Sequence, residues 1–151
     1  DVQSRIAAGI NDILMFDKDL YSSLGLRYVF SIHAYEMFLE NPFFGVGTGD
    51  FMQEYPNYVI SSYANLPYTN NPHNQYFMVL ATLGLFGAII MLNLLVKSFQ
   101  YGDHRARSIL IGFIVISFFE SYLWRSNTTM MFMFFMAIFC QRRSFLFASI
   151  K

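Results

Sequence analysis

The feature that most constrains this chain is an uncharged, apolar stretch from Tyr76 to Val96. Its length is close to the ~20 apolar residues with which an α-helix crosses the hydrocarbon core of a bilayer. The residues just before it, 71–75, are polar and include Pro72 and His73. Proline discourages helix at the preceding residue and is tolerated where a helix begins. We therefore predict a membrane-spanning helix over residues 76–96, with His73 at the membrane surface.

Two further apolar segments follow, over residues 108–124 and about 127–141. Basic side chains occur in the loop around Arg105 and in the tail after the last segment. Because cytoplasmic loops carry an excess of lysine and arginine, this loop and this tail are predicted to be cytoplasmic. His73 and Arg125 then fall together on the opposite, outer face.

The composition agrees with a membrane protein, since 55% of the residues are hydrophobic and 13% are charged. We therefore predict an all-α, polytopic membrane protein fragment. Residues 1–75 would form an extracytoplasmic loop region with short helices, and residues 76–151 about three transmembrane helices and a cytoplasmic tail. The net charge of +0 gives no bulk attraction to nucleic acid. The chain begins at Asp1 without a recognisable signal peptide, so we expect a piece of a longer protein that is inactive by itself.

His73 is the first candidate functional residue. Histidine is the side chain whose unperturbed pKa, about 6.5, lies close to neutral pH, so an imidazole here could take a proton from a reacting group. The residues alone leave an alternative open, in which His73 and Asn74 only cap the helix that follows.

Arg27 is the second candidate. The pattern predicts a helix over residues 23–39, with Ser22 or Ser23 as its N-cap. Counting about 100° per residue places Arg27 on a face that packs, where a guanidinium needs an anionic partner. His33 lies on another face together with two glutamates, and that face is predicted to be solvated.

The run Gly45-Val46-Gly47-Thr48-Gly49 suggests a phosphate-binding loop, because glycines let backbone N–H groups approach an anion. It lacks the preceding strand and the Lys-Ser/Thr ending of a nucleotide-binding loop. We therefore predict a tight turn. A turn that aims Asp50 or backbone amides at a substrate is the alternative.

Glu120, Arg125 and Arg5 are further candidates. Glu120 falls within the second predicted span, where a charge costs at least ~2.5 kcal/mol near the centre and marks a partnered or functional group. Arg125 is five residues later and is not a direct helical neighbour, so Glu120 is expected to serve another basic residue. Glu120 and Arg125 either line a site or anchor the chain at the interface. Arg5 is either a second anion contact or an ordinary solvated arginine.

Three motifs in order carry a family resemblance. His73-Asn74 is followed, after nine residues, by Gly84-Leu85-Phe86-Gly87. Upstream lie Ser22–Arg27, which contains a Ser-x-Gly-x-Arg pattern, and Glu40–Gly49, which contains Asn-Pro-x-x-Gly-x-Gly-x-Gly. Together they resemble the bacterial O-antigen ligase and polymerase family over roughly residues 20–96.

This resemblance implies a function. Members of the family transfer a glycan from undecaprenyl-diphosphate to an acceptor hydroxyl at the periplasmic face of the inner membrane, with inversion and without a metal or other cofactor. It implies His73 as the catalytic base and Arg27 as the catalytic clamp on the diphosphate. Asn74, Arg125, Arg5 and Glu120 are expected to bind substrate. No Arg or Lys occurs between Tyr28 and Val96, so Arg5, Arg125 or preceding helices would supply further cations.

The acceptor is left open. Lipid A core as acceptor would make the chain an O-antigen ligase, the expectation we favour. Another repeat unit would make it a polymerase, and a protein hydroxyl would make it a protein O-oligosaccharyltransferase. Outside enzymes, the chain could belong to a transporter or a structural membrane module, with His73 a helix cap and Arg27 part of a structural ion pair.

Overall fold

The computed structural model describes residues 2–4, 21–59, 65 and 67–148, with side chains up to residue 140. The described elements are helical, as predicted, and no strand occurs among them. Arg5 lies outside the described residues. We number the helices α1 Ser23–Glu40, α2 Phe51–Glu54, α3 Gln75–Tyr101, α4 His104–Ile116 and α5 Ser126–Ala148, with short 3₁₀ helices at Tyr55–Tyr58 and Tyr122–Trp124.

Helix α1 begins where the sequence predicts. The Ser22 side chain accepts a hydrogen bond from the Gly25 amide and so caps the first turn. The helix ends at Glu40, where Asn41 and Pro42 follow, because proline disfavours helix in the residue before it.

His33 on α1 corrects one expectation. The sequence predicts a solvated face here, but His33 is 1% exposed, whereas Glu36 is half-buried and Glu40 is exposed. The His33 Nδ1 lies 2.7 Å from the Tyr55 hydroxyl, because α2 and the first 3₁₀ helix fold over this side of α1. Burial lowers the pKa of His33, which favours the neutral ring in this pairing.

The main core lies between α1 and the first half of α3. Phe30 and Met37 of α1 meet Met78 of α3, and Phe51 and Tyr55 close the cluster. Removing this apolar area from water holds α1 against α3. The start of α3, and His73 just before it, is therefore fixed relative to α1.

Helix α3 is broken at Gly84, and the glycine-rich turn fills the break. Gly84 has φ 63°, outside the helical region. The amides of Val46 and Gly47 donate to the carbonyls of Ala81 and Thr82, at 2.8 and 3.0 Å. Immediately after the break, the amide of Leu85 donates to the Pro42 carbonyl at 2.8 Å. The amide of Phe86 donates to the Phe43 carbonyl at 3.2 Å.

The predicted tight turn is therefore found, and two of its amides bind α3. The two motifs that contain Gly45 and Gly84 are one interlocked unit. Two of the turn's amides are used by α3, so they cannot cradle an anion. Non-helical backbone inside an apolar helix is tolerated where protein satisfies its hydrogen bonds, as this turn does.

One helix among the described residues, α3, is long and apolar enough to cross a membrane, by length and composition. The second predicted span, 108–124, is instead a helix of 13 residues that ends at Ile116, roughly 20 Å long. The third contains an apolar part, Ser126–Cys140, that is shorter than a full crossing. An architecture of several spans stays a prediction.

Residues 117–124 leave the helical path because they bind the start of α3. The Gln75 amide donates to the Ser117 carbonyl at 2.9 Å, and the Gln75 side-chain oxygen accepts from the Leu123 amide at 2.7 Å. At the far end of α3, the Asp103 amide reaches the Phe139 carbonyl at 3.4 Å. Arg105 and Arg107 thus lie at the opposite end of the bundle from His73, as the charge pattern predicts.

Candidate functional site

The backbone at His73 is held in an uncommon conformation. His73 has φ 53°, the one positive φ outside glycine among the described residues. A left-handed non-glycine residue is strained and persists where its surroundings fix it. Here the His73 amide donates to Asn71 Oδ1 at 2.8 Å, and Asn71 is 5% exposed.

The imidazole of His73 faces a carboxylate. Its Nδ1 lies 3.2 Å from Oε2 of Glu120, and the side chain of His73 keeps 29% of its surface exposed. Within the described part of the chain, Nε2 has no hydrogen-bond partner. One nitrogen is thus engaged by protein and the other is open to a ligand.

Glu120 is the centre of the site. Its Oε1 accepts from Asn71 Nδ2 at 2.9 Å and from the Ser121 amide at 3.1 Å. Arg125 Nη2 lies 3.6 Å from Oε2. Burial opposes ionisation, but the hydrogen bonds from Ser121, His73 and Asn71 outweigh it and lower the pKa of Glu120 below its ordinary value of 4.5. The group is a carboxylate at neutral pH.

The pairing of Glu120 with Arg125 corrects the sequence argument. In a continuous helix, residues five apart are not direct neighbours. The chain between them instead forms turns and the 3₁₀ helix Tyr122–Trp124, which fold Arg125 back toward the carboxylate.

Arg27 and Asn74 contact the same segment as His73. The Arg27 guanidinium donates to the carbonyl of Phe119. Asn74 Nδ2 donates to the carbonyl of Phe118 at 3.2 Å. Since His73 faces Glu120, three residues singled out from sequence bind three successive positions, 118, 119 and 120.

The guanidinium of Arg27 has few partners in the described structure. Over the described residues, no carboxylate lies within salt-bridge distance of its guanidinium. In the part of the chain that the structure describes, its one hydrogen-bond acceptor is a neutral carbonyl. An arginine can hold further acceptors with its other N–H groups. Phe30, one turn along α1, lies 6.4 Å from the His73 ring, so this end of α1 borders the imidazole.

Asn74 is the N-cap of α3. Its Oδ1 accepts from the amides of Tyr76 and Phe77 at 3.0 and 3.2 Å. The capping alternative therefore holds for Asn74, whereas His73 lies one residue before the cap.

Sequence reasoning missed Asn71. Its side chain closes a turn onto the amide two residues later, a habit of asparagine that the Asn-Pro-His order could have indicated. Its bond to Glu120 joins residues 49 apart in sequence and leaves no local signal.

An apolar groove of about 470 Å³ starts beside the site and follows α3. Gln75 and Trp124 line it near His73 and Arg125, and Ile90 and Leu94 line it farther along. No group of three His, Cys, Asp or Glu side chains able to hold a metal occurs within the described residues. Metal independence stays a prediction.

Comparison with known proteins identifies the family. No match was found among curated proteins or among solved structures. The family model described as O-antigen ligase matches residues 3–92, which include Arg27, the glycine-rich turn and His73. This match covers more than half of the chain, and the chain therefore belongs to the O-antigen ligase family.

Proposed function

We propose that this chain carries the reaction centre of an inner-membrane glycosyltransferase that moves a glycan from undecaprenyl-diphosphate to a hydroxyl of lipid A core, as an O-antigen ligase. Membership of this membrane family supports the class of enzyme. The observation that carries the proposal is the convergence of His73 and Arg27 on residues 118–120.

His73 acts as the general base. Its Nε2 takes the proton of the acceptor hydroxyl while the acceptor oxygen bonds to the anomeric carbon. The bond from that carbon to the diphosphate oxygen breaks, and its electron pair leaves with the diphosphate. Attack opposite the leaving group inverts the configuration. A positioned base contributes roughly 10²–10⁴-fold to the rate.

Arg27 and Arg125 bind the diphosphate. Charge accumulates on the leaving group as the bond breaks, and guanidinium groups neutralise it through charge-assisted hydrogen bonds. Arg27 brings a charge that no carboxylate among the described residues compensates. Arg125 is shared with Glu120 and is 59% exposed, so it can turn toward a ligand. Arg5, which lies outside the described residues, is a further candidate. Asn74 supports the site by fixing the start of α3.

The groove along α3 receives the polyprenyl chain of the donor. Its lining is mostly apolar, and one end reaches Trp124, the residue before Arg125. The lining extends along α3 from Gln75 to Leu94, on both sides of the break at Gly84. A donor with its diphosphate at Arg27 and Arg125 would therefore have apolar contact along its tail.

A transporter is a weaker explanation. It predicts paired ionisable groups along the middle of a span, whereas Glu120 lies in the connection between α4 and α5, at the His73 end of α3. Polymerase and protein O-oligosaccharyltransferase activity share this site, and the product of transfer distinguishes them.

The test is complementation with the full-length protein in cells that lack their own ligase. His73→Ala and Arg27→Ala are expected to abolish surface glycan and to accumulate the lipid-linked donor. His104→Ala and Arg105→Ala, at the opposite end of the bundle, serve as matched controls and should behave as wild type. Normal glycan from His73→Ala at matched membrane levels would overturn the proposal. Single repeat units in place of unattached chains would identify a polymerase.

A further inference from the structure

We infer that Glu120 is a positioning residue for the base, fixing the proton on Nδ1 of His73 and aiming Nε2 at the acceptor hydroxyl. This inference rests on the proposed function. It assigns Glu120 a task other than the substrate contact expected from the sequence.

The proton position follows from the partners. An ionised carboxylate only accepts hydrogen bonds, so the 3.2 Å contact with Oε2 requires that Nδ1 carry the proton. In the neutral ring, the lone pair is then on Nε2, the nitrogen without a partner in the described residues. That is the form a general base needs.

The orientation of the ring follows from a closed set of contacts. Asn71 holds the His73 amide with its oxygen and the Glu120 carboxylate with its nitrogen. The same carboxylate holds the imidazole and is itself anchored by the Ser121 amide. Backbone and ring of His73 are thus fixed by two side chains that are fixed to each other. A strained, left-handed His73 held in this way is pre-organised for its task.

The charge of Glu120 also acts during the reaction. When Nε2 takes the acceptor proton, the ring becomes an imidazolium, and the carboxylate at Nδ1 stabilises it. Among the described residues, the other charged groups at this end are Arg125, 3.6 Å from the same carboxylate, and Arg27, bound to the neighbouring carbonyl. Both are cations and oppose the imidazolium, so Glu120 is the group that offsets them.

The test uses full-length enzyme reconstituted with undecaprenyl-diphosphate-linked glycan and lipid A core. We expect Glu120→Gln to lower kcat about 10- to 100-fold, a part of what a general base supplies. KM for the donor should stay within about twofold, because the diphosphate and lipid contacts remain. The acidic limb of the pH–rate profile should move to lower pH, since the imidazolium loses its anionic partner.

Two variants keep the result interpretable. Glu120→Asp retains the charge and is expected to recover part of kcat and the wild-type acidic limb. Glu40→Gln removes an exposed carboxylate at the end of α1 and should change nothing.

Each contrary outcome is distinct. If kcat is unchanged in Glu120→Gln while His73→Ala is inactive, the positioning role is overturned and the proposed function still holds. If Glu120→Gln raises KM for the donor and leaves kcat unchanged, Glu120 is a substrate contact, and the positioning role is overturned as well. If Glu120→Gln lowers the rate without shifting the pH–rate profile, the loss reflects fewer folded molecules, and the positioning role is again overturned. An active His73→Ala removes the proposed function itself.

Discussion

At the scale of single residues, the site depends on His73 being held where a non-glycine residue rarely sits. The local order Asn-Pro-His predicted a helix start and a histidine beside it, and both are found. The residues that hold the histidine, Asn71 and Glu120, are 49 apart in sequence. Helical spacing wrongly predicted that Glu120 and Arg125 do not pair, because the segment between them is not an α-helix.

Asn71→Ala should weaken both the fold and the activity. The change removes the acceptor for the His73 amide and the donor to Glu120, and it leaves buried polar groups unpaired at a cost of about 1–3 kcal/mol. A lower midpoint of thermal unfolding for the full-length protein, with transfer reduced by more than the loss of folded enzyme, is the expected result. Asn70→Ala, at an exposed neighbour, is the control. Equal stability and activity in both variants would show that the turn holds without Asn71.

Acid should destabilise this end of the molecule through Glu120. Its pKa in the folded protein is lowered, so its contribution to stability is fully present above the ordinary value of 4.5 and is lost as pH falls through the folded value. Thermal unfolding of the full-length protein between pH 6 and about pH 3 should therefore depend less steeply on pH in Glu120→Gln than in wild type. Identical curves would show that Glu120 contributes nothing on ionisation.

At the scale of elements, the interlock of the glycine-rich turn with the break in α3 is the main finding. The sequence indicated a turn at Gly45–Gly49 and a helix through Gly84, but not that one completes the other. The hydrogen bonds that join them are between backbone atoms, and backbone pairing between distant segments has no signature in side-chain pattern. Likewise, the end of α4 at Ile116 is imposed by tertiary contacts to Gln75, which override an apolar run that continues past it.

Gly84→Ala should disrupt the fold. Its φ of 63° is strained for alanine, and the new Cβ would lie 2.5 Å from the Phe43 carbonyl carbon, which is backbone and cannot turn aside. We expect a loss of more than about 2 kcal/mol of stability and little folded protein in membranes. Gly112→Ala in α4, where nothing lies within 4 Å, is the matched control and should be neutral or mildly stabilising. Normal levels of Gly84→Ala would contradict the interlock.

At the scale of the whole molecule, much apolar surface faces outward. The second half of α3 exposes Ile90, and α4 exposes Ile111, among many large hydrophobic side chains. Such a surface suits lipid, a lipid tail or further helices. The apolar segments of the sequence predicted a helical membrane protein, and membership of the O-antigen ligase family supports that class.

Ile90→Asn should raise KM for the lipid-linked donor by roughly 3- to 10-fold with kcat nearly unchanged, because it places an amide in the groove and removes about 1 kcal/mol of apolar contact. Ile111→Asn makes the same change at an exposed position of α4 that does not line the groove. An equal rise in KM for both variants would mean that the groove does not hold the donor.

The central claim is that His73 takes the acceptor proton at a site where Arg27 binds the diphosphate. Its most direct test is single-turnover transfer and donor binding by full-length His73→Gln and Arg27→Lys. We expect His73→Gln to bind the undecaprenyl-diphosphate-linked glycan normally and to transfer it at least about 10²-fold more slowly. Arg27→Lys should weaken donor binding, since lysine lacks the fork that holds phosphate oxygens. Transfer by His73→Gln at the wild-type rate would contradict the account.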